Sequence, residues 1–453
     1  MKKIARLLIA NRGEIAVRII KACRDLGIES VVAVSEADKE SMPAKVADRA
    51  VCIGPPRPID SYLRVDTIIT AALGTGSDAI HPGYGFLSEQ PELAEGCREH
   101  SLIFVGPSPE SLRQMGNKLL ARKTVKGYSI PVIPGSQKAE NLKDAYKIVE
   151  AIGLPILIKA AAGGGGRGIK IVTNTDELKL TFETAAAEAR IAFGDETLYF
   201  ERFFPNARHI EVQIVADHFG NVIHVGERDC SLQRRYQKVV EEAPAYALSK
   251  NMSEEIRGAG VMIAKNMKYE NLGTVEFILD QESDQFYFLE MNTRIQVEHP
   301  VTEMISGIDL VKEQIRIAAH HPLDLSQSDL RLAGHAIECR INAESPRLGF
   351  QPCPGRVTEW LQPQGTGIRV DTHCYSGYVV SPYYDSLLGK VITLGADRSE
   401  AVRRMGYGLE HFRVSGIDTN IPFLQSILNH SDYINGQIHT RWIEMNLNQS
   451  LLS

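Results

Sequence analysis

Residues 273–292, GTVEFILDQESDQFYFLEMN, place two glutamates and an asparagine where they could share one cation. Read as a hairpin, with 276–280 and 286–290 paired around a five-residue loop centred on Ser283, the stretch sets Glu276 opposite Glu290. Directly opposed residues have Cβ atoms ~4.5–5.5 Å apart, and two carboxylates so placed repel unless a cation lies between them. Asn292 follows on the same face. Two carboxylates and an amide oxygen form an oxygen-ligand set suited to Mg²⁺, completed by nucleotide phosphates and water. The plainer alternative is an exposed acidic strand face.

TRIQVEHPVTEM, 293–304, follows directly and reads as a short extended run with Arg294 and Glu298 on its polar side. An arginine can grip a small oxyanion through two parallel hydrogen bonds, and a nearby carboxylate can act as general base. A surface ion pair is the competing use. CSLQRRYQKVVEEAP, 230–244, packs Arg234, Arg235 and Lys238 near two glutamates, either as a solvated face or with Lys238 as a second grip on an anionic substrate. His209 opens a strand, where a lone histidine is more often structural. Arg340, in GHAIECRINAE, lies on the polar face of a strand and could pair with Glu338 or Glu344.

KAAAGGGGRG, 159–168, looks made for phosphate, yet its lysine precedes the glycines and it fits neither a Walker loop nor a dinucleotide fingerprint. PILIKA before it and GIKIVTN after it both read as strands, so the stretch joins strand to strand. A helix dipole is then out of reach, and Lys159 and backbone N–H groups must supply the anion contacts at the tip of a mobile flap.

Around these residues the elements fall into three parts, as the length of 453 residues leads one to expect. Strand-like and helix-like runs alternate over the first 110 residues or so, the pattern of a doubly wound α/β domain. From about 130 the flap region takes over, and beyond it come long strands alternating apolar and polar residues, among them HIEVQIVAD, NVIHVGERD and QFYFLEMN. The net charge of −6 is spread along the chain without a basic block, which disfavours a polynucleotide partner. No run approaches the ~20 apolar residues of a membrane span, and the N-terminus reads as a strand, not a signal peptide. Seven cysteines without a C-x-x-C pair suggest reduced, mostly structural thiols in a cytoplasmic compartment.

Taken together, LIANRGEIAVRI, HPGYGFLSE, KAAAGGGGRG, ERDCSLQRRYQKVVEEAP, FLEMNTRIQVEHPVTEM, GHAIECRINAE and SPYYDSLLGK resemble, in order and over nearly the whole chain, the biotin carboxylases of the ATP-grasp superfamily. The resemblance implies an N-terminal Rossmann-like domain at 1–114, an ATP-grasp domain at 115–330 with a lid at about 132–204, and a C-terminal domain at 331–446. It implies ATP contacts from Lys118, Lys159, Gly165, Gly166, Glu201 to Phe204, His209, Gln233, Tyr236, Glu276 and Glu290. Mg²⁺ or Mn²⁺ would sit on Glu276, Glu290 and Asn292. Bicarbonate would lie against Lys238, Arg294, Gln296 and Val297, with Glu298 as its base, and biotin against Arg340 and Tyr84.

The implied reaction runs through carboxyphosphate to carboxybiotin. Biotin would be carried on a separate carrier protein, since no M-K-M attachment motif occurs, and a carboxyltransferase would complete the assembly. A homodimer is the family's common state. The implied role is the first half-reaction of acetyl-CoA carboxylase in fatty-acid synthesis, with a pyruvate or other acyl-CoA carboxylase as the alternative. Another ATP-grasp ligase, or a non-catalytic nucleotide-binding protein, would lack the TRIQVEHPVTE arrangement or an intact Lys238, Glu298 and Arg340. Three positions depart from the family pattern: Tyr236 for histidine, Asn117 for aspartate and Ala161 for a hydroxyl residue.

Overall fold

The computed structural model describes residues 3–136, 138, 139, 141–160 and 169–446. Gly165, Gly166 and Ala161 lie outside the described residues.

Strands β1 (Arg6–Ile9), β2 (Glu29–Val34), β3 (Arg49–Cys52), β4 (Ala79–His81) and β5 (Ile103–Phe104) form a parallel sheet in the order β3-β2-β1-β4-β5. The apolar runs of β1 and β2 are almost wholly buried, as strands flanked by helices on both faces require. Strand order reverses between β1 and β4, and the loops leaving these two strands meet there. One runs through NRGE into α1 (Gly13–Asp25), and the other is HPGYG. Asn11 ties them together, its side-chain amide donating to the carbonyls of Pro82 and Tyr84 at 2.7 Å each. Gly83 makes the approach possible: its φ is +63°, and a Cβ there would stand 2.8 Å from Asn11 Nδ2. Tyr84 is thereby fixed at the crevice.

Helix α2 (Lys118–Lys126) begins at Asn117, whose Oδ1 accepts the Leu120 N–H at 3.0 Å. Asparagine keeps the cap that aspartate would make, so this departure is structurally neutral. Strands β6 (Ile156–Ala160), β7 (Ile169–Val172) and β8 (Leu198–Arg202) form an antiparallel sheet ordered β7-β6-β8, with Lys159 opposite Ile169. The strand on either side of the glycines is therefore as expected. Helix α3 (Thr175–Phe193), capped by Asn174, covers this sheet with Leu178, Ala185 and Ala189 against Ile156, Ile158 and Phe200.

The remaining long strands build one eight-stranded sheet. They are β9 (Ala207–Ala216), β10 (Val222–Arg234), β11 (Gln237–Ala243), β12 (Asn271–Asp280), β13 (Gln285–Asn292), β14 (His335–Asn342), β15 (Ile368–Thr372) and β16 (Leu387–Gly395), in the order β13-β12-β9-β10-β11-β14-β16-β15. Period-two alternation sorts their side chains. Ile210, Val212 and Ile214 of β9 join Phe277 and pack on α4 (Lys250–Asn266) through Ile256 and Ile263. Each such burial stabilises by about 1.5–3 kcal/mol. His209, Glu211 and Gln213 consequently point to the other face. Helix α5 (His299–Ser306) lies on that face and packs Val301 and Ile305 against Ala243, Ala336 and Ile392. In β14, Ile337, Cys339 and Ile341 enter the core beneath α6 (Arg398–Glu410), leaving Glu338 and Arg340 opposite. Because β11 pairs with β14, the sheet runs unbroken past residue 331.

On the core side, buried Glu242 accepts Arg398 Nε and Nη2 at 2.7 and 2.9 Å and lies 2.8 Å from His335 Nε2. Burial pushes its carboxyl pKa up, but His335 and Arg398 outweigh that and hold it at about 2 against the ordinary 4.5. A depressed carboxyl pKa stabilises the fold fully above 4.5, and the contribution is lost as pH falls towards about 2. Glu242→Gln is expected to lower stability at neutral pH by about 3–5 kcal/mol. The gap to wild type should narrow on acidification in thermal melts at stepped pH; a constant gap would contradict the assignment.

Candidate active site

A cavity of about 600 Å³ opens between the small sheet and the polar face of the large one. It brings together Tyr84, Lys118, Lys159, Glu201, Phe204, His209, Gln233, Tyr236, Lys238, Glu276, Glu290, Asn292, Arg294, Gln296, Val297 and Arg340. Of the described candidates, Glu298 alone stands behind the wall, with its side chain fully buried.

At the hairpin end, Glu276 is opposite Glu290 and Thr274 opposite Asn292, as the spacing predicts. The route to that pairing differs from the simple hairpin. The loop has four residues, 281–284, because Asp280 pairs with Gln285, and Phe277 then meets Phe288. A bulge at Leu289 takes up the extra residue and restores the register at the two glutamates. Three cations surround the pair: Lys118 Nζ lies 3.0 Å from Glu290, while His209 Nε2 and Lys238 Nζ lie 2.9 and 3.1 Å from Glu276. Asn292 Nδ2 donates to Glu276 Oε1 at 2.6 Å.

At the end of β6, Lys159 pairs with Glu201, as does Arg122. Burial pulls the Lys159 pKa down, but Glu201 and Tyr199 more than compensate, so the ammonium is kept. The Glu201 carboxylate is committed to these two cations, and its backbone pairs with Leu157 in the β6–β8 ladder. Ile133, Leu157, Ile169, Ile278 and Leu289 supply an apolar lining there, and Phe204 stacks on Tyr287 with ring centroids 5.0 Å apart. Gln233 Nε2 lies 2.8 Å from His209 Nδ1. Tyr236 sits at the β10–β11 turn with φ +65° and is half exposed at the mouth.

The other end is organised by Glu298. Arg294 and Glu298 do not lie on an extended run: the chain leaves β13 at Asn292, turns, and Glu298 becomes the N-cap residue of α5. Its side chain makes no cap hydrogen bond. Instead, Lys238 Nζ donates to one oxygen and Arg340 Nη2 to the other, each at 2.8 Å. Burial pushes the Glu298 pKa up, but Lys238, Arg340 and Arg228 hold it below the ordinary carboxylate value, so it is an anion. Arg340 also donates through Nε to Glu241 at 2.6 Å. Its partners thus come from β11 and the α5 turn, and the local pairing with Glu338 or Glu344 does not form. Arg294 donates to Glu89 at 3.0 Å and to Gln296 at 3.0 Å.

Three family models match the chain along its length. They are "Biotin carboxylase, N-terminal domain" over 3–112, "Carbamoyl-phosphate synthase L chain, ATP binding domain" over 117–326, and "Biotin carboxylase C-terminal domain" over 338–445. The chain is 50% identical to "Biotin carboxylase 1" of Bacillus subtilis, over 97% of this chain and 98% of that one. The chain belongs to the biotin carboxylase family. It is also 47% identical to a pyruvate carboxylase subunit of Methanothermobacter thermautotrophicus, over 97% and 89% of the two chains. Among solved structures it resembles the biotin carboxylase domain dimer of Hydrogenobacter thermophilus 2-oxoglutarate carboxylase, described with MgADP, ADP and bicarbonate. The TM-score is 0.95 at 44% identity, over 100% and 99% of the two chains.

Members of this family are ATP-grasp ligases, and behind the lining residues stand groups that motif reading did not single out. Glu211, fully buried, pairs with Lys238 and accepts Arg228 Nη2 at 3.1 Å. Its position two residues after His209 on the polar phase of β9 was the available signal. Glu89, in HPGYGFLSE, braces Arg294 from 205 positions away, a contact that no local spacing encodes.

Proposed function

We propose that this cavity binds ATP and bicarbonate and carboxylates biotin. The observation that carries the reading is one buried carboxylate, Glu298, held just behind the cavity wall by Lys238 and Arg340, which line the same cavity as the Glu276–Glu290–Asn292 oxygen set. Lys118, Lys159, His209, Gln233 and Tyr236 hold the nucleotide, with the backbone of Glu201–Phe204 at its base. Gly165 and Gly166 close over it in this reading. Two opposed carboxylates with an amide oxygen two residues on fit a hard divalent cation, so Glu276, Glu290 and Asn292 would hold Mg²⁺ or Mn²⁺. The ion, when bound, neutralises charge on the transferring phosphate.

Bicarbonate enters against Lys238, Arg294, Gln296 and Val297. Its charge draws Lys238 and Arg340 away from Glu298, which raises the basicity of that carboxylate. Glu298 takes the proton, and the dianion attacks the γ-phosphorus, giving ADP and carboxyphosphate. Carboxyphosphate separates into CO₂ and phosphate, and the phosphate takes the ureido proton of biotin. Arg340, with Tyr84 beside it, stabilises the enolate-like ring that captures CO₂. Burial of Glu298 and closure of the flap keep water from carboxyphosphate.

Biotin arrives on a separate carrier protein in this reading, and a carboxyltransferase uses the product. The domain limits 1–114, 115–330 and 331–446, a homodimer and a cytoplasmic setting belong to the same proposal; the Hydrogenobacter domain described as a dimer supports the assembly. The final acceptor is acetyl-CoA, in fatty-acid synthesis. The likeness to the Methanothermobacter pyruvate carboxylase chain favours pyruvate as the second reading. Labelled bicarbonate, ATP, Mg²⁺ and a biotinylated carrier should give labelled carrier. Chasing that carrier with acetyl-CoA and carboxyltransferase, or with pyruvate and its transferase, then distinguishes the acceptors, and an unlabelled carrier would overturn the reading.

A further inference from the structure

Lys390, on β16, is fully buried and stands opposite Arg340 on β14 and Asp371 on β15. A buried ammonium is costly and persists only with compensation. The carboxylates of Glu14, Glu338 and Asp371 face it: burial pulls its pKa down, and these three together more than offset the pull. Its hydrogen-bonding geometry is more telling than its charge. Nζ donates to the carbonyl of Val297 at 2.7 Å and lies 3.1 Å from Glu14 Oε1, the same oxygen that accepts the Tyr84 hydroxyl.

One lysine therefore links three separate stretches of chain. From α1, Glu14 reaches it while holding Tyr84; from β16, it reaches the turn that leads into α5. The carbonyl it holds belongs to the peptide joining Val297 to Glu298. Fixing that peptide plane fixes the root of the Glu298 side chain, whose two oxygens face Lys238 and Arg340. The Glu298 side chain makes no cap hydrogen bond; the turn has local backbone contacts from His299 to the Gln296 carbonyl and from Val301 to the Glu298 carbonyl, and Lys390 adds a hold on the Val297 carbonyl from outside it.

Resting on the reading of the cavity given above, we propose that Lys390 is a positioning residue for the bicarbonate end of the site. It orients the Val297–Glu298 peptide, and through Glu14 it sets that peptide relative to Tyr84.

A misplacement of about 1 Å at a reacting group costs about 10²-fold in rate. Lys390→Met, of similar length and without charge, is expected to lower kcat/KM for bicarbonate by up to about 10²-fold. KM for ATP should stay near wild type, because the contacts of this lysine among the described residues are with Val297 and Glu14, not with the nucleotide end. Because Lys390→Met leaves Glu14 uncompensated in the interior, Lys390→Met/Glu14→Gln is the companion variant. It removes both charges, and its glutamine can still accept the Tyr84 hydroxyl.

The double variant is expected to melt close to wild type and to bind ATP normally, yet to keep the bicarbonate defect. Recovery of kcat/KM for bicarbonate in the double variant would overturn the proposal, since charge balance alone would then explain the lysine. A loss of ATP affinity matching the bicarbonate defect, seen as a parallel rise in KM for ATP, would also overturn it. If wild-type protein releases ADP without regard to bicarbonate, the reading of the cavity fails, and the role of Lys390 falls with it.

Discussion

Glu298→Gln is expected to lower bicarbonate-dependent ADP release by about 10²- to 10⁴-fold, the usual contribution of a positioned general base. Glutamine keeps the size of the side chain and can accept from one of the two cations that bracket it. Its amide group must then face the other, Lys238 or Arg340, and it cannot take a proton. Lys238 retains Glu211 and Glu276, and Arg340 retains Glu241, so neither cation is left bare. Nucleotide affinity should therefore survive, because Lys118, Lys159 and His209 are untouched. Steady-state kinetics with a parallel ATP-binding titration separates the two effects. A bicarbonate-dependent rate equal to wild type would remove Glu298 from the role of base.

Arg340→Ala is expected to reduce carboxybiotin formation by about 10²- to 10³-fold, as for the loss of one preorganised oxyanion donor. Bicarbonate-dependent ATP cleavage without biotin should fall much less, since Lys238 and Arg294 remain to hold the anion. The substitution also leaves Glu241 without its main cation. Burial already raises the pKa of that carboxyl against the pull of Arg340, so in the variant it should protonate more readily and spare the fold an uncompensated charge. Arg340→Lys keeps the charge but loses the planar fork that spans Glu241 and Glu298, and should recover only part of the activity. Undiminished carboxylation of biotin by Arg340→Ala would exclude the arginine from the second half of the reaction.

What the sequence could disclose about the site depended on whether each contact was local. Alternation along β12 and β13 was enough to bring Glu276, Glu290 and Asn292 to one face, and the pairing of the glutamates survives even though the turn is one residue shorter, because the bulge at Leu289 compensates. Lys159 was placed correctly at the end of a strand that pairs with the next strand. The turn at 293–298 was not legible. Alternating polar residues imitate a strand, but Pro300 near the start of α5 marks a helix beginning, and Arg294 is pulled aside by Glu89. Arg340 was assigned its polar face but not its partners, since Glu241 becomes a neighbour only when β11 pairs with β14. Glu211 carries no motif of its own, and Lys390 closes SPYYDSLLGK without its type or spacing disclosing a role; the importance of both follows from full burial among opposite charges, which only the assembled sheet creates.

ADP release by the purified protein, measured with and without bicarbonate and with and without free biotin, tests the central claim most directly. Release should be slow without bicarbonate, rise when bicarbonate is added, and rise again with biotin. ADP release indifferent to both would contradict that claim.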